Sequence, residues 1–196
     1  KVFIDGSYGT TGLRIHQRLQ SRTDLELISI PYEERHSELA RRKAYEEADF
    51  VFMCLPDAAA KEAVPMAESC HTRVIDASTA HRTAEGWVYG FPEISGAKAI
   101  EAAPLVANPG CHASGVNALI YPLIRNGILS PAQKLQCFSL TGYSGGGKKM
   151  IAEYESPEKP QSYFAPRIYG LTLKHKHLPE MQKVCGLDYP PVFSPI

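Results

Sequence analysis

Residues 1–15, KVFIDGSYGTTGLRI, decide the reading of the fold. Val2 to Ile4 form a short apolar run that reads as a strand, and Leu13, Ile15 and Leu19 fall on a helical pattern after it. Between them Gly6, Gly9 and Gly12 stand in a G-x-x-G-x-x-G spacing. A strand that turns on glycine into a helix lets the backbone approach a pyrophosphate. The helix N-terminus adds N–H groups and a positive dipole end. The spacing differs by one residue from G-x-G-x-x-G, and an ordinary glycine-rich turn between strand and helix carries similar letters. The flanking elements and the opening position favour the dinucleotide reading. Gly6, Ser7, Gly9, Thr10, Thr11 and Gly12 are the candidate cradle.

Outward from this stretch, apolar runs keep alternating with helix-like segments. LELISI (25–30), DFVFMCLP (49–56) and TRVIDAS (72–78) read as strands. EERHSELARRKAYEEA (33–48) reads as a charged helix with Leu39, Ala40, Ala44 and Ala48 on one face. DAAAKEAVPMAESC (57–70) reads as a helix with Asp57 as N-cap and Pro65 as a kink or break. Such alternation predicts an α/β fold, a Rossmann-like parallel sheet covered on both faces. The end of the second strand is where a ribose is discriminated. It carries no acid directly at the strand end. Ser29 and Arg35, with Arg41 and Arg42 nearby, are candidates for a 2′-phosphate, which favours NADP, although most of these charges also suit a solvated helix face.

Past residue 110 the texture changes to α+β. A helix is expected from Cys111 to about Arg125, a strand in KLQCFSLTGYS (134–144) and a short helix near Pro179. The expected division is 1–110 for the NADP-binding domain and 111–196 for a partial catalytic domain. The chain opens without Met and stops in GLDYPPVFSPI, so it reads as incomplete at its C-terminal end.

Composition excludes several classes. Of the 196 residues 21 are basic and 21 acidic, so no charged surface for nucleic acid or acidic membrane is expected. No apolar run approaches the roughly 18 residues that span a bilayer. The five cysteines are odd in number and widely spaced, with no C-x-x-C, which argues against disulfides and zinc and for a reducing cytoplasm.

One cysteine stands apart. In VANPGCHASGVNALIYPL (106–123), Cys111 follows Asn-Pro-Gly and opens the expected helix. There the dipole and unpaired N–H groups stabilise a thiolate and can hold a developing oxyanion. A lone cysteine is more often structural, but the other four lie in strand patterns or near helix ends. HKHLPE (175–180) supplies His175 and His177 as acid/base candidates, with Glu180 as an orienting carboxylate. Two histidines without a strong third ligand do not make a metal site, and none is expected. Gly142 to Lys148 fits G-x-x-x-x-G-K, yet Lys149 stands where a P-loop needs Ser or Thr. A loop that aims N–H groups and Lys148 at an anionic substrate is the preferred reading. A flexible loop is the plainer one.

GSYGTTG (6–12), VIDASTAHR (74–82), WVYGFPE (87–93), ANPGCHASG (107–115), GYSGGGK (142–148) and HKHLPE (175–180) occur in this order. Together they resemble the short-form N-acetyl-gamma-glutamyl-phosphate reductases of arginine biosynthesis, over nearly the whole chain. The resemblance implies an NADPH-dependent reduction of an acyl phosphate to a semialdehyde through a thioacyl group on Cys111. It also implies a histidine of 175–180 as acid/base, a small-molecule substrate and assembly with further copies. Ser78, Arg82, Asn108, Gly145 and Lys148 are the candidate substrate contacts. Other readings stay open: a related reductase for aspartyl or aminoadipyl phosphate, a non-catalytic NADP-binding regulatory module, and a P-loop phosphohydrolase.

Overall fold

A computed structural model describes all residues, 1–196, and divides into two compact units, Lys1–Pro109 and Gly110–Ile196. The first is a parallel α/β layer. Its strands are β1 (Val2–Asp5), β2 (Leu27–Ile28), β3 (Phe50–Met53), β4 (Arg73–Asp76), β5 (Val88–Tyr89) and β6 (Leu105–Ala107). Their order in the sheet is β2-β1-β3-β4-β6-β5, and every pair is parallel. The helices are α1 (Thr10–Leu19), α2 (Glu38–Glu47), α3 (Asp57–Ser69), α4 (Pro92–Ser95) and α5 (Ala97–Ala102). Phe3, Val51 and Val74 lie in register across β1, β3 and β4 and are buried with Tyr45, Met53, Ala63 and Ala67.

The chain leaves β1 for β2 on one side and returns to β3 on the other. The strand order therefore reverses between β1 and β3. Open parallel sheets bind ligands at the carboxyl ends of such a pair. Gly6 lies there, at φ 86°, and a Cβ on it would fall 2.4 Å from the Cys54 carbonyl oxygen. A Cβ on Gly12 would fall 2.3 Å from the Gly6 carbonyl oxygen. Two of the three glycines are thus required by the turn's own packing, before any ligand is considered.

Several sequence expectations need correction. Residues 33–48 are not one helix: a 3₁₀ turn at Tyr32–Glu34 comes first, and Ser37 Oγ accepts from the Ala40 N–H at 3.3 Å to cap α2. Leu39 is 79% exposed, and Ala44, Tyr45 and Ala48 are the buried residues, because the Tyr45 hydroxyl and Arg41 both reach Asp5 on β1. Asp57 is the first residue of α3 rather than its cap, and accepts from the Thr79 N–H at 2.9 Å and from the Thr79 hydroxyl. Pro65 neither splits nor ends α3. The short elements β5, α4, α5 and β6 were not anticipated, since none is long enough to show a period.

The second unit holds α6 (Cys111–Arg125), β7 (Gln136–Ser139), α7 (Gly147–Glu155), α8 (Leu178–Cys185) and β8 (Val192–Pro195). Helix α6 packs on α8 through Ala113, Val116, Leu178 and Met181, with Phe193 of β8 closing the core. Asn117, fully buried, accepts from the Cys185 thiol at 3.2 Å. Within GLDYPPVFSPI (186–196) lies β8, parallel to β7 in the register Cys137↔Phe193. No helix in the chain is long and apolar enough to cross a membrane.

Replacing Gly12 by Ala should cost about 2 kcal/mol or more, because the new methyl meets backbone that cannot yield. At Gly9 the nearest atom to a Cβ is 3.2 Å away, so Gly9→Ala should cost clearly less. Urea unfolding of the two variants checks this, and equal midpoints would contradict the packing role of Gly12.

Candidate functional site

In the first unit the glycine turn ends at Gly9, the N-cap of α1, which supplies no side-chain cap. No acidic residue stands in the first turn of α1, so the N–H groups of Thr10, Thr11 and Gly12 face no competing carboxylate there. Ser7 and Ser29 line a cavity of about 140 Å³ with Tyr8, Leu13, His16 and Ile30. Arg35 lies over the Tyr32 ring at 3.7 Å and donates to the Tyr32 carbonyl at 2.6 Å, while Tyr32 packs edge-on against Tyr8. The cradle, Ser29 and Arg35 are therefore linked through Tyr8. Arg41 belongs elsewhere, paired to the buried Asp5 at 2.7 Å. The turn and the cavity beside it fit part of a dinucleotide, while Arg35 is held on Tyr32, one ring beyond the cavity wall.

Two buried acids end β1 and β4. Asp5 accepts from Arg41 and from the Tyr45 hydroxyl at 2.8 Å. Asp76 accepts from the Ser78 N–H at 2.9 Å and the Ser78 hydroxyl at 2.6 Å, and meets His81 Nδ1 at 2.6 Å. The His81 ring stacks on Trp87 at 4.2 Å. Burial, then the charges of Asp5 and Asp76, push the Cys54 thiol up to about 12, so this cysteine stays protonated. Ser78 is thus engaged with Asp76. Arg82 donates to the carbonyls of Asn108, at 2.9 Å, and Ala77, at 3.1 Å. Both brace the loops that follow β4 and β6.

In the second unit Cys111 is exposed and is the first residue of α6, with Gly110 as an N-cap that again offers no side chain. Pro109 and Gly110 deliver the chain to the helix, and Ser114 bonds back to the Gly110 carbonyl through its N–H at 2.8 Å and its hydroxyl at 2.9 Å. Glu180 is buried in the first turn of α8, and its Oε1 accepts from the Gly110 N–H at 2.8 Å. The carboxylate therefore holds the turn that presents Cys111.

His175 and His177 meet edge-to-face at 4.8 Å. The His177 N–H donates to His175 Nδ1 at 3.2 Å. That bond needs the lone pair on Nδ1, so the proton of His175 sits on Nε2. Burial, the neighbouring His112 and Lys176 hold His175 below the ordinary imidazole range, which keeps it neutral.

Sequence reasoning passed over His112, which is buried and lies against both His175, at 5.6 Å, and His177, at 5.7 Å. Its one signal was its place beside Cys111. Tyr169 was passed over as well. Gly145 lies in a 3₁₀ turn and Lys148 in the first turn of α7, both exposed, whereas the cluster around Cys111 is built by α6, β7, α8 and residues 169–177.

Residues 29–103 match the semialdehyde dehydrogenase NAD binding domain, and residues 111–196 match the semialdehyde dehydrogenase dimerisation domain. Curated N-acetyl-gamma-glutamyl-phosphate reductases are similar along the whole chain. That of Chelativorans sp. is 49% identical over 100% of this chain and 63% of its own length. That of Sinorhizobium medicae is 50% identical over 100% of this chain and 64% of its own. N-acetyl-gamma-glutamyl-phosphate reductase 2 of Pseudomonas putida is 46% identical over 99% and 62%. The chain thus spans somewhat under two thirds of these relatives. Among solved structures, aspartate semialdehyde dehydrogenase II of Vibrio cholerae superposes with a TM-score of 0.67 at 16% identity, over 100% of this chain and 69% of that one. A probable aspartate-semialdehyde dehydrogenase of Pseudomonas aeruginosa gives 0.69 at 15%, over 99% and 69%. At that identity the likeness concerns the fold. The two parts of the chain are thus similar to the two domains of semialdehyde dehydrogenases, and along its whole length the chain is similar to N-acetyl-gamma-glutamyl-phosphate reductases.

Proposed function

We propose that the chain carries the catalytic apparatus of an NADPH-dependent N-acetyl-gamma-glutamyl-phosphate reductase, with Cys111 as nucleophile. The observation that carries the proposal is an exposed thiol on the uncapped N-terminus of α6, in the same cluster as a neutral histidine whose proton is held on Nε2.

The Cys111 sulfur attacks the acyl carbon. The first-turn N–H groups of α6 and the Nε2–H of His175 receive the oxygen as charge develops on it. The bond from carbon to the phosphate oxygen breaks, inorganic phosphate leaves, and a thioester remains on Cys111. When bound, NADPH supplies the hydride that reduces this thioester. His175 again donates to the oxygen of the hemithioacetal, and cleavage of the carbon–sulfur bond releases the semialdehyde and the thiolate.

For the cofactor, Gly6, Ser7, Gly9, Thr10, Thr11 and Gly12 are proposed for the phosphates, and Ser29 and Arg35 for the ribose side. Ser78, Arg82 and Asn108 shape loops at the sheet end, and Gly145 with Lys148 remain candidates for the anionic substrate. The dimerisation-domain match supports assembly with a second copy. The five free thiols suit a reducing cytoplasm. A forward and reverse assay with NADP, semialdehyde and phosphate, comparing N-acetylated with free substrates, tests the assignment. Preference for aspartate semialdehyde would replace it.

Cys111→Ser should abolish turnover and leave NADP(H) affinity near wild type; turnover by the Ser variant would remove Cys111 from the chemistry. His175→Asn should lower kcat about 100-fold, the usual loss for a donor to a developing oxyanion. His177→Asn should lower it less, because the bond to His175 comes from the backbone N–H of residue 177 and survives the substitution. Because His175 is held below the ordinary imidazole range, it stays neutral as pH falls from 8 to about 6.5. The kcat profile should show no limb in that span that His175→Asn removes. Such a limb would make His175 a proton-transfer group instead of a fixed donor.

A further inference from the structure

His175 stands in a segment with no regular structure of its own: residues 165–177 form neither helix nor strand. Two of them take left-handed backbone, Gly170 at φ 67° and Leu173 at φ 56°. For a leucine that conformation is costly, and Leu173 is 58% exposed, so its packing offsets little of the cost. The conformation is therefore imposed by what the segment touches. At its far end α8 does this: the Leu178 N–H donates to the His175 carbonyl at 3.0 Å, and the His177 N–H donates to His175 Nδ1. At its near end the ties converge on Tyr169. The Tyr169 N–H donates to the Pro195 carbonyl at 3.0 Å, and its hydroxyl lies 2.8 Å from His112 Nε2. His112 is itself fixed. It is buried in the first turn of α6, its Nδ1 lies 2.7 Å from the Ser139 hydroxyl, and Phe193 packs against it at 5.2 Å. Ser139 and Pro195 are register partners across β7 and β8. The bonds through His112 thus leave the strand pair, cross α6 and return through Tyr169 to the same strand pair.

We propose that His112 is a positioning residue: by clasping the Tyr169 hydroxyl from its seat on Ser139, it fixes the segment that carries His175 and keeps the His175 ring aimed. This rests on the reading of His175 as the donor to the substrate oxygen and adds what holds that donor. His112 reaches His175 in two ways. One runs through Tyr169 and the backbone that follows it. The other is direct: the His112 ring meets the His175 ring edge-to-face at 5.6 Å, while Phe193 at 5.0 Å and His177 at 4.8 Å close other sides of it. The clasp needs a flat, buried side chain with a polar atom toward each partner. A neutral imidazole has one N–H and one lone pair, and each hydroxyl partner can donate or accept, so both bonds form with either tautomer. Burial holds His112 below the ordinary imidazole range and so keeps it neutral.

The test combines steady-state kinetics with amide hydrogen exchange, read by mass spectrometry, on variants of the intact protein. Tyr169→Phe keeps the ring and removes the hydroxyl. It should lower kcat about tenfold with KM within about twofold, because the donor is misplaced while the binding surface stays. The amides of residues 170–177 should exchange about fivefold to tenfold faster, with those in the body of α6 and of α8 unchanged. His112→Asn, whose amide reaches only the Nδ1 position, should behave in the same way. His112→Gln, whose amide reaches the Nε2 position and so Tyr169, should recover most of kcat. On a His175→Asn background neither Tyr169→Phe nor His112→Asn should lower kcat further, since the group they position is gone. If His175→Asn alone turns over at the wild-type rate, the donor reading fails and this inference with it. If His175→Asn is slow but Tyr169→Phe leaves kcat and exchange in place, the donor stands and the clasp is overturned. Losses that multiply on the His175→Asn background, or equal losses in His112→Gln and His112→Asn, would reduce His112 to packing and overturn it as well. Should His112→Asn fail to fold, Tyr169→Phe decides alone.

Discussion

The second unit depends on one hydrogen bond, from the Gly110 N–H to Oε1 of Glu180, at 2.8 Å. Two helices begin where it lies: α6 at Cys111 and α8 at Leu178. Each brings the positive end of its dipole and a set of N–H groups without intrahelical partners. Placing two such ends together is unfavourable unless a negative group stands between them, and Glu180 is that group. It takes up the N–H of the cap residue and leaves the first-turn N–H groups beyond it, which in the proposed reaction receive the substrate oxygen. Removing the carboxylate would leave a buried donor unpaired, at a cost of about 1–3 kcal/mol. It would also loosen the turn that aims the sulfur. Fold and chemistry therefore share one residue.

The first unit repeats this economy with a different chemistry. Asp5 ends β1 and is buried at the start of the glycine turn, where Arg41 of α2 supplies the opposite charge and the Tyr45 hydroxyl donates a hydrogen bond. Its partners rotate α2 so that Tyr45, and not Leu39, faces the sheet. Gly6 and Gly12 then close the turn against Cys54 and against each other. What remains for a ligand is the uncapped start of α1 and the cavity behind Ser7 and Ser29. The turn's shape is set by packing, and the N–H groups left over are what it offers to the proposed cofactor.

These features differ in how far they could be read from the letters. The parallel sheet, α1, and α6 from Cys111 to Arg125 were legible because each has a clear period or a sharp boundary signal. Pro109 and Gly110 before a long apolar run mark a helix start without any tertiary information. Leu39 misled because its period put it on one face with Ala40, Ala44 and Ala48, while the polar Arg41 and Tyr45 decided the face through contacts 36 and 40 residues away. Glu180 was picked out for a histidine and is bound to a backbone N–H 70 residues earlier, a pairing only the fold reveals. His112 and Tyr169 were invisible for the same reason: nothing local relates residues 57 apart.

The claim that joins these observations is that Cys111 carries the acyl group. The direct measurement is to mix the protein with N-acetyl-gamma-glutamyl phosphate in the absence of NADPH, quench in acid, digest, and weigh the peptide that contains Cys111. An N-acetylglutamyl thioester on Cys111, released by hydroxylamine, is the predicted result. An unmodified Cys111 peptide in a preparation that turns over with NADPH, or an acyl group on another cysteine, would contradict it.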